Sequence, residues 1–319
     1  MEPETAPAGG VPHPLTYIFF NDRGLRAGWR LLIFAAMLYV VFALLRWGLS
    51  YVNPANQAPP SGILAPITFA VSELIPFLLL LFVTWVMSKV EKKKLGEYGL
   101  PLAASSLARF FRGYVLWGFL PLSLLLLVLR GLKAFYFGGL DMHGIQILYW
   151  AVLWGVMFLM VGLFEEFAFR GYLLHTLAEG IGFWPAAIIM ALPFAAVHML
   201  NSGETRIGIV AVVFFAMFAS ATLRVTGNLW LAVGAHAGWD WGESYFYGVN
   251  DSGMVAPGHL LNPHSAGPAW LSGGSVGPEG SVVTLIFWGL MTVGFLIVYR
   301  QRNKPAVVIT PAEDPAREA

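Results

Sequence analysis

Three short stretches place ionisable groups inside apolar surroundings. The first is Phe164-Glu165-Glu166-Phe167-Ala168-Phe169-Arg170-Gly171, the second Phe194-Ala195-Ala196-Val197-His198, the third His236-Ala237-Gly238-Trp239-Asp240. A helix advances about 100° per residue, so Arg170 falls beside Glu166 at i,i+4 and away from Glu165. Glu166 can therefore be neutralised by its own helix while Glu165 points elsewhere. The same spacing puts His236 and Asp240 on one side of their helix. Each stretch alone has a plain structural account: a salt-bridged cap, a hydrogen-bonded core histidine, an internal His–Asp hydrogen bond. Together they supply one unconsumed carboxylate, two imidazoles and a further polar group, which is the inventory of a hydrolytic site.

The elements that must position these groups are membrane helices. The chain has 319 residues, of which 57% are hydrophobic, 15% aromatic and 12% charged, with a mean hydropathy of +0.68. That is too apolar for an ordinary soluble domain. A span needs roughly 17–25 apolar residues, and such runs occur at 31–48, 67–87, 114–132, 145–164, 183–200, 207–223, 229–247 and 282–299. The third is interrupted by Pro121 and carries Arg130 near its end. The expected fold class is an all-α integral membrane protein, a bundle of about eight transmembrane helices. Each ionisable group within such a bundle costs at least ~2.5–3.5 kcal/mol on insertion scales, so a cluster of them marks function by default.

Of the 19 Lys and Arg residues, all but Arg46, Arg130, Lys133 and Arg206 fall at one set of span ends. This bias predicts that both termini are cytoplasmic and sets Glu165 at the cytoplasmic end of the fourth span. The organisation expected is a flexible cytoplasmic segment at 1–30, one polytopic membrane domain at 31–300, and a disordered cytoplasmic tail at 301–319. With no cysteine, thiol nucleophiles, disulfides and thiolate metal sites are excluded. The net charge of +1, with basic residues in short clusters between spans, gives no nucleic-acid footprint. Gly273-Gly274-Ser275-Val276-Gly277 matches GxSxG, but it lies in a Gly-rich loop with no preceding strand and reads as chance. Glu73, Arg46 and Glu243 lie in or near spans and could line a cavity, but structural pairing or interfacial snorkelling is the plainer reading of each.

The succession EExxxR (Glu165, Glu166, Arg170), FxxxH (Phe194, His198) and HxxxD (His236, Asp240), each in its own apolar segment, resembles the CPBP family. Thr226-Gly227-Asn228-Leu229-Trp230 extends the likeness, which covers roughly residues 145–247. The family comprises the type II CAAX prenyl endopeptidases and bacterial relatives linked to bacteriocin processing and immunity. Asp240 stands where the prenyl endopeptidases usually carry Asn. The resemblance implies an intramembrane endopeptidase acting on a membrane-associated protein or peptide, and the Ala, Gly and Trp usage with no cysteine suggests a bacterial cytoplasmic membrane. Glu165 would activate water with help from His198, and His236 and Asp240 would stabilise the oxyanion or orient the substrate carbonyl. Glu166 and Arg170 complete the site. Two alternatives stay open. Glu165, His198, His236 and Asp240 could instead hold one Zn²⁺, and the cluster could serve a non-catalytic scaffold, an immunity factor or a transporter. The expected partners are the lipid bilayer and the substrate, with the oligomeric state left undetermined.

Overall fold

The computed structural model describes residues 16–21, 24–52, 62, 64–201 and 203–300. The expectations for residues 1–15 and 301–319 fall outside these. Helix α1 spans Ala27–Val52 and so starts inside the segment read as a tail; α2 spans Leu64–Val90. Helix α3 covers Ala104–Gly131, and its central part, Gly113–Phe119, winds as a π-helix. Strand β1 (Phe135–Leu140) precedes α4 (Ile145–Arg170), which continues after a break at Gly171 into α5 (Tyr172–Ile181). Then come α6 (Phe183–His198), α7 (Arg206–Thr226) and α8 (Trp230–Trp241), the last followed by a π-turn at Gly242–Tyr247. Strand β2 (Leu261–Ser265) and α9 (Val282–Arg300) complete the order.

Among the described residues, six helical segments are long and apolar enough to cross a membrane: α1, α2, α3, the α4–α5 pair, α7 and α9. Helix α6 is apolar but shorter. The protein is an all-α, multi-pass integral membrane protein. Its outer helix faces expose large apolar side chains such as Tyr39, Leu44, Ile188, Leu192 and Leu290, as lipid-facing surfaces do. Two sequence expectations change in detail. Pro121 does not interrupt the third span, because it lies within the first turn of the helical segment Leu120–Gly131 that follows the π-helix, where a missing N–H matters little. The fourth span does not end at Phe164, since α4 runs on to Arg170.

Local sequence accounts for several helix ends. Thr205 caps α7 by accepting from Gly208 N at 3.1 Å, and Gly227 ends it with φ +73°, the left-handed conformation that glycine adopts freely. Helix α8 is held by backbone contact with α3. A Cβ on Gly234 would lie 2.0 Å from Phe110 O, one on Gly238 2.2 Å from Tyr114 O, and one on Gly113 2.2 Å from Leu231 O. In lipid, where apolar side chains gain little by meeting one another, such small-residue approach is a main source of helix affinity.

Helix directions follow from the contacts. Helix α8 starts beside Gly99, where Leu229 N donates to Gly99 O at 2.7 Å. It runs antiparallel to α4: Trp241 Nε1 donates to Ala151 O and Tyr245 Oη to Ile147 O, while His236 lies level with Glu166. Near the start of α8, the beginning of α1 and the ends of α2 and α5 are clasped. Arg30 bonds Glu91 at 2.7 Å and Glu179 at 2.5 Å, and Lys93 pairs with both acids. At the opposite end β1 pairs antiparallel with β2, Phe135 opposite Ser265 and Leu140 opposite Leu261, with an irregularity between Tyr136 and Gly139.

Candidate functional site

All six residues singled out from the sequence meet in one place. Glu165, Glu166 and Arg170 project from the last turns of α4, His198 from the end of α6, and His236 and Asp240 from α8. The break at Gly171 turns the chain one residue after Arg170. A side chain there would clash, because a Cβ would sit 2.3 Å from Phe167 O.

Neighbouring glutamates have different fates. Glu166 is fully buried; its Oε1 accepts from Arg170 Nη1 at 3.4 Å and faces His236 Nδ1 at 3.0 Å. Arg170 also lies over the Phe194 ring, 4.1 Å from its centroid. Glu165 takes no part in this pairing. Its Oε2 is buried, has no hydrogen-bond partner, and lies 3.8 Å from His198 Nε2 and 3.7 Å from His236 Nε2.

The histidines are oriented by their other nitrogens. His198 Nδ1 lies 2.8 Å from Phe194 O. A carbonyl only accepts, so Nδ1 carries the proton and the Nε2 of neutral His198 presents a lone pair toward Glu165. Two acceptors 3.8 Å apart cannot bond directly, but a water donating one proton to each would fit. His236 Nδ1 faces the Glu166 carboxylate in the same way, and its Nε2 lies 3.4 Å from Asp240 Oδ2.

These groups sit against a cavity of ≈ 410 Å³. Its walls include Phe69 and Glu73 of α2, Met157 of α4, Phe215 of α7 and Trp288 of α9. Asn201, Asp251–Met254 and Glu279 line it as well. These last residues follow the ends of α6 and α8 and precede α9, so the cavity reaches the end of the bundle opposite the Arg30 clasp. There, burial pushes Asp251 up to about 8, with the Glu279 charge adding to it. Glu204 is raised for the same two reasons.

Residues 146–242 match the Rce1-like family, type II CAAX prenyl endopeptidase. The matched segment contains all six clustered residues. Searches of curated proteins and of solved structures found no match.

For the Zn²⁺ alternative, the four residues form a chain of contacts from His198 through Glu165 and His236 to Asp240, at 3.8, 3.7 and 3.4 Å. Among the described residues, the group of three that brings one ligand atom from each within 4.8 Å of the others is Glu243, Asp251 and Glu279. Sequence reasoning passed over that group. Glu243 does not snorkel: it is 0% exposed, has no ion-pair partner among the described residues, and the Trp239 indole is the donor beside it. Glu73 lines the cavity, the alternative the sequence left open for it. Ser275 of the GxSxG match bonds Gly203 O at 3.3 Å, remote from the imidazoles in sequence and with no base beside it among its bonded partners.

Proposed function

We propose that this protein is an intramembrane endopeptidase in which Glu165 is the general base. The observation that carries the reading is Glu165 Oε2, a buried carboxylate oxygen without a partner between two imidazole Nε2 atoms. Water bound there would donate one proton to Glu165 and one to His198, leaving an oxygen lone pair for a substrate carbonyl. Glu165 takes a proton as the water oxygen adds to the carbonyl carbon. It then returns that proton to the leaving amine as the C–N bond breaks, so the products are a carboxylic acid and an amine.

The oxyanion needs a donor, and a carboxylate at Asp240 cannot supply one. Protonated His236 does. Nδ1–H on Glu166 fixes the ring, and the single Nε2–H, which faces Asp240 Oδ2 at 3.4 Å, turns to the developing charge as it forms. Three carboxylates (Glu165, Glu166, Asp240) then face two cations (Arg170, His236), so the site keeps one negative charge. Arg170 acts through Glu166, holding the carboxylate that orients His236.

The sidedness follows from the basic residues. Arg26, Arg30, Lys89, Lys92–Lys94, Arg109, Arg112 and Arg224 all lie toward the clasped end, so that end is cytoplasmic. The cavity then opens on the far face, and the scissile segment of the substrate arrives from outside the cytoplasm.

Two measurements test this. In cells carrying Glu165→Gln in place of the wild type at matched expression, an uncleaved membrane precursor should accumulate, and purified wild type should cleave it. Equal membrane proteomes with full function in the variant would establish a scaffold instead. Because the chain has no cysteine, Met254→Cys and Lys94→Cys report each face separately. An impermeant maleimide should label the first in intact spheroplasts and the second only in inverted vesicles; the reverse pattern overturns the sidedness alone.

A further inference from the structure

Between Arg224 and Arg300 the sequence contains no Lys or Arg, yet it carries Asp240, Glu243, Asp251 and Glu279. Three of these acids meet, with one carboxylate oxygen from each of Glu243, Asp251 and Glu279 within 4.8 Å of the others. Among the described residues, every ion pair joins other groups. Glu243 is the decisive member. It is fully buried, and neither oxygen makes a well-formed hydrogen bond, the buried indole Nε1 of Trp239 one turn earlier being the donor beside it. An ionised carboxylate so placed requires a compensating charge.

The other two acids are already oriented. Ser244 Oγ donates to Asp251 Oδ2 at 2.9 Å, and Ser252 donates to Glu279 Oε2 through Oγ at 2.8 Å and N at 3.2 Å. Each acid keeps a second oxygen, and such outer hydrogen bonds are what fix the ligands of metal sites. Three carboxylate donors suit a hard cation, and Ca²⁺ accepts irregular carboxylate cages where Mg²⁺ demands near-ideal octahedral geometry and is seldom held by protein ligands alone. Asp251 and Glu279 line the cavity, so an ion and its remaining waters have a route in.

We propose that Glu243, Asp251 and Glu279 form a site for a hard divalent cation, matched to Ca²⁺. It ties the Asp251–Met254 segment and the turn before α9 to the end of α8. The site is separate from the Glu165 cluster and does not depend on the protease reading.

The full chain in detergent, stripped with EGTA, is titrated with CaCl₂ or MgCl₂, following heat release and the thermal unfolding midpoint. One Ca²⁺ should bind per chain, with Mg²⁺ much weaker. Saturating Ca²⁺, about 100-fold above Kd, should raise the midpoint by about 5 °C or more. Asp251→Asn and Glu279→Gln, both checked for folding by elution position, should each weaken Ca²⁺ at least tenfold. Wild type that is folded yet binds no Ca²⁺ overturns the proposal, as does Ca²⁺ binding that survives the double variant. Mg²⁺ binding as tight as Ca²⁺ overturns the choice of ion. If Glu243→Gln raises the midpoint in EGTA while wild type ignores Ca²⁺, the acids share protons instead.

Discussion

At the clasped end of the bundle, Arg30 and Lys93 face Glu91 and Glu179, two cations for two anions, and Tyr98 and Tyr172 donate to the oxygens of Glu91. Beside the cavity the pairing is incomplete. Glu165 Oε2, Glu166 Oε2 and Arg170 Nη2 are buried without partners. Both clusters bury charge, but the clasp satisfies all its carboxylate oxygens and so stabilises the fold, leaving Arg30 Nε as its one buried atom without a partner. The cavity cluster leaves two carboxylate oxygens and a guanidinium nitrogen open, positions that a bound group can complete.

The contrast can be broken at either cluster. Arg170→Ala should have the largest effect on stability, about 3–5 kcal/mol, because it strands the buried Glu166 carboxylate; unfolding in detergent measures it, and cleavage should vanish with it. Arg30→Ala removes one of two cations from the partly exposed clasp, where Lys93 remains. A loss of about 1–3 kcal/mol is expected, with cleavage per folded molecule unchanged. Glu165→Gln should alter stability by no more than about 1 kcal/mol, since Oε2 has no partner to lose. The same variant should slow cleavage at least ~10²-fold. If Glu165→Gln proved as destabilising as Arg170→Ala, the distinction between the two glutamates would fail. Ser275→Ala should be the mildest, within about 0.5 kcal/mol and with unchanged cleavage.

How far the sequence could be read depended on the range of the interaction. Helices were legible because apolar runs are local. So was the division of labour between Glu165 and Glu166, since i,i+4 geometry decides which of them meets Arg170. The convergence of α4, α6 and α8 on one point came from the order of the motifs and not from any local rule. Strand pairing was illegible: Phe135–Leu140 and Leu261–Ser265 are too short and too far apart for either to name its partner. The Glu243 group was overlooked because each acid was considered singly. The available signal was collective, four acids and no Lys or Arg between Arg224 and Arg300.

The glycine contact between α3 and α8 has a consequence for how the cavity can admit a chain. Backbone touching backbone, as at Gly113, Gly234 and Gly238, leaves no side chain to change rotamer and no slack for sliding. The wall carrying His236 and Asp240 is therefore an anvil. Room for a substrate has to come from the walls that meet the cavity through side chains, above all the exposed Phe69 of α2. Sequence changes that retune which peptide is accepted belong on those yielding walls, and the glycines opposite are the positions least free to vary.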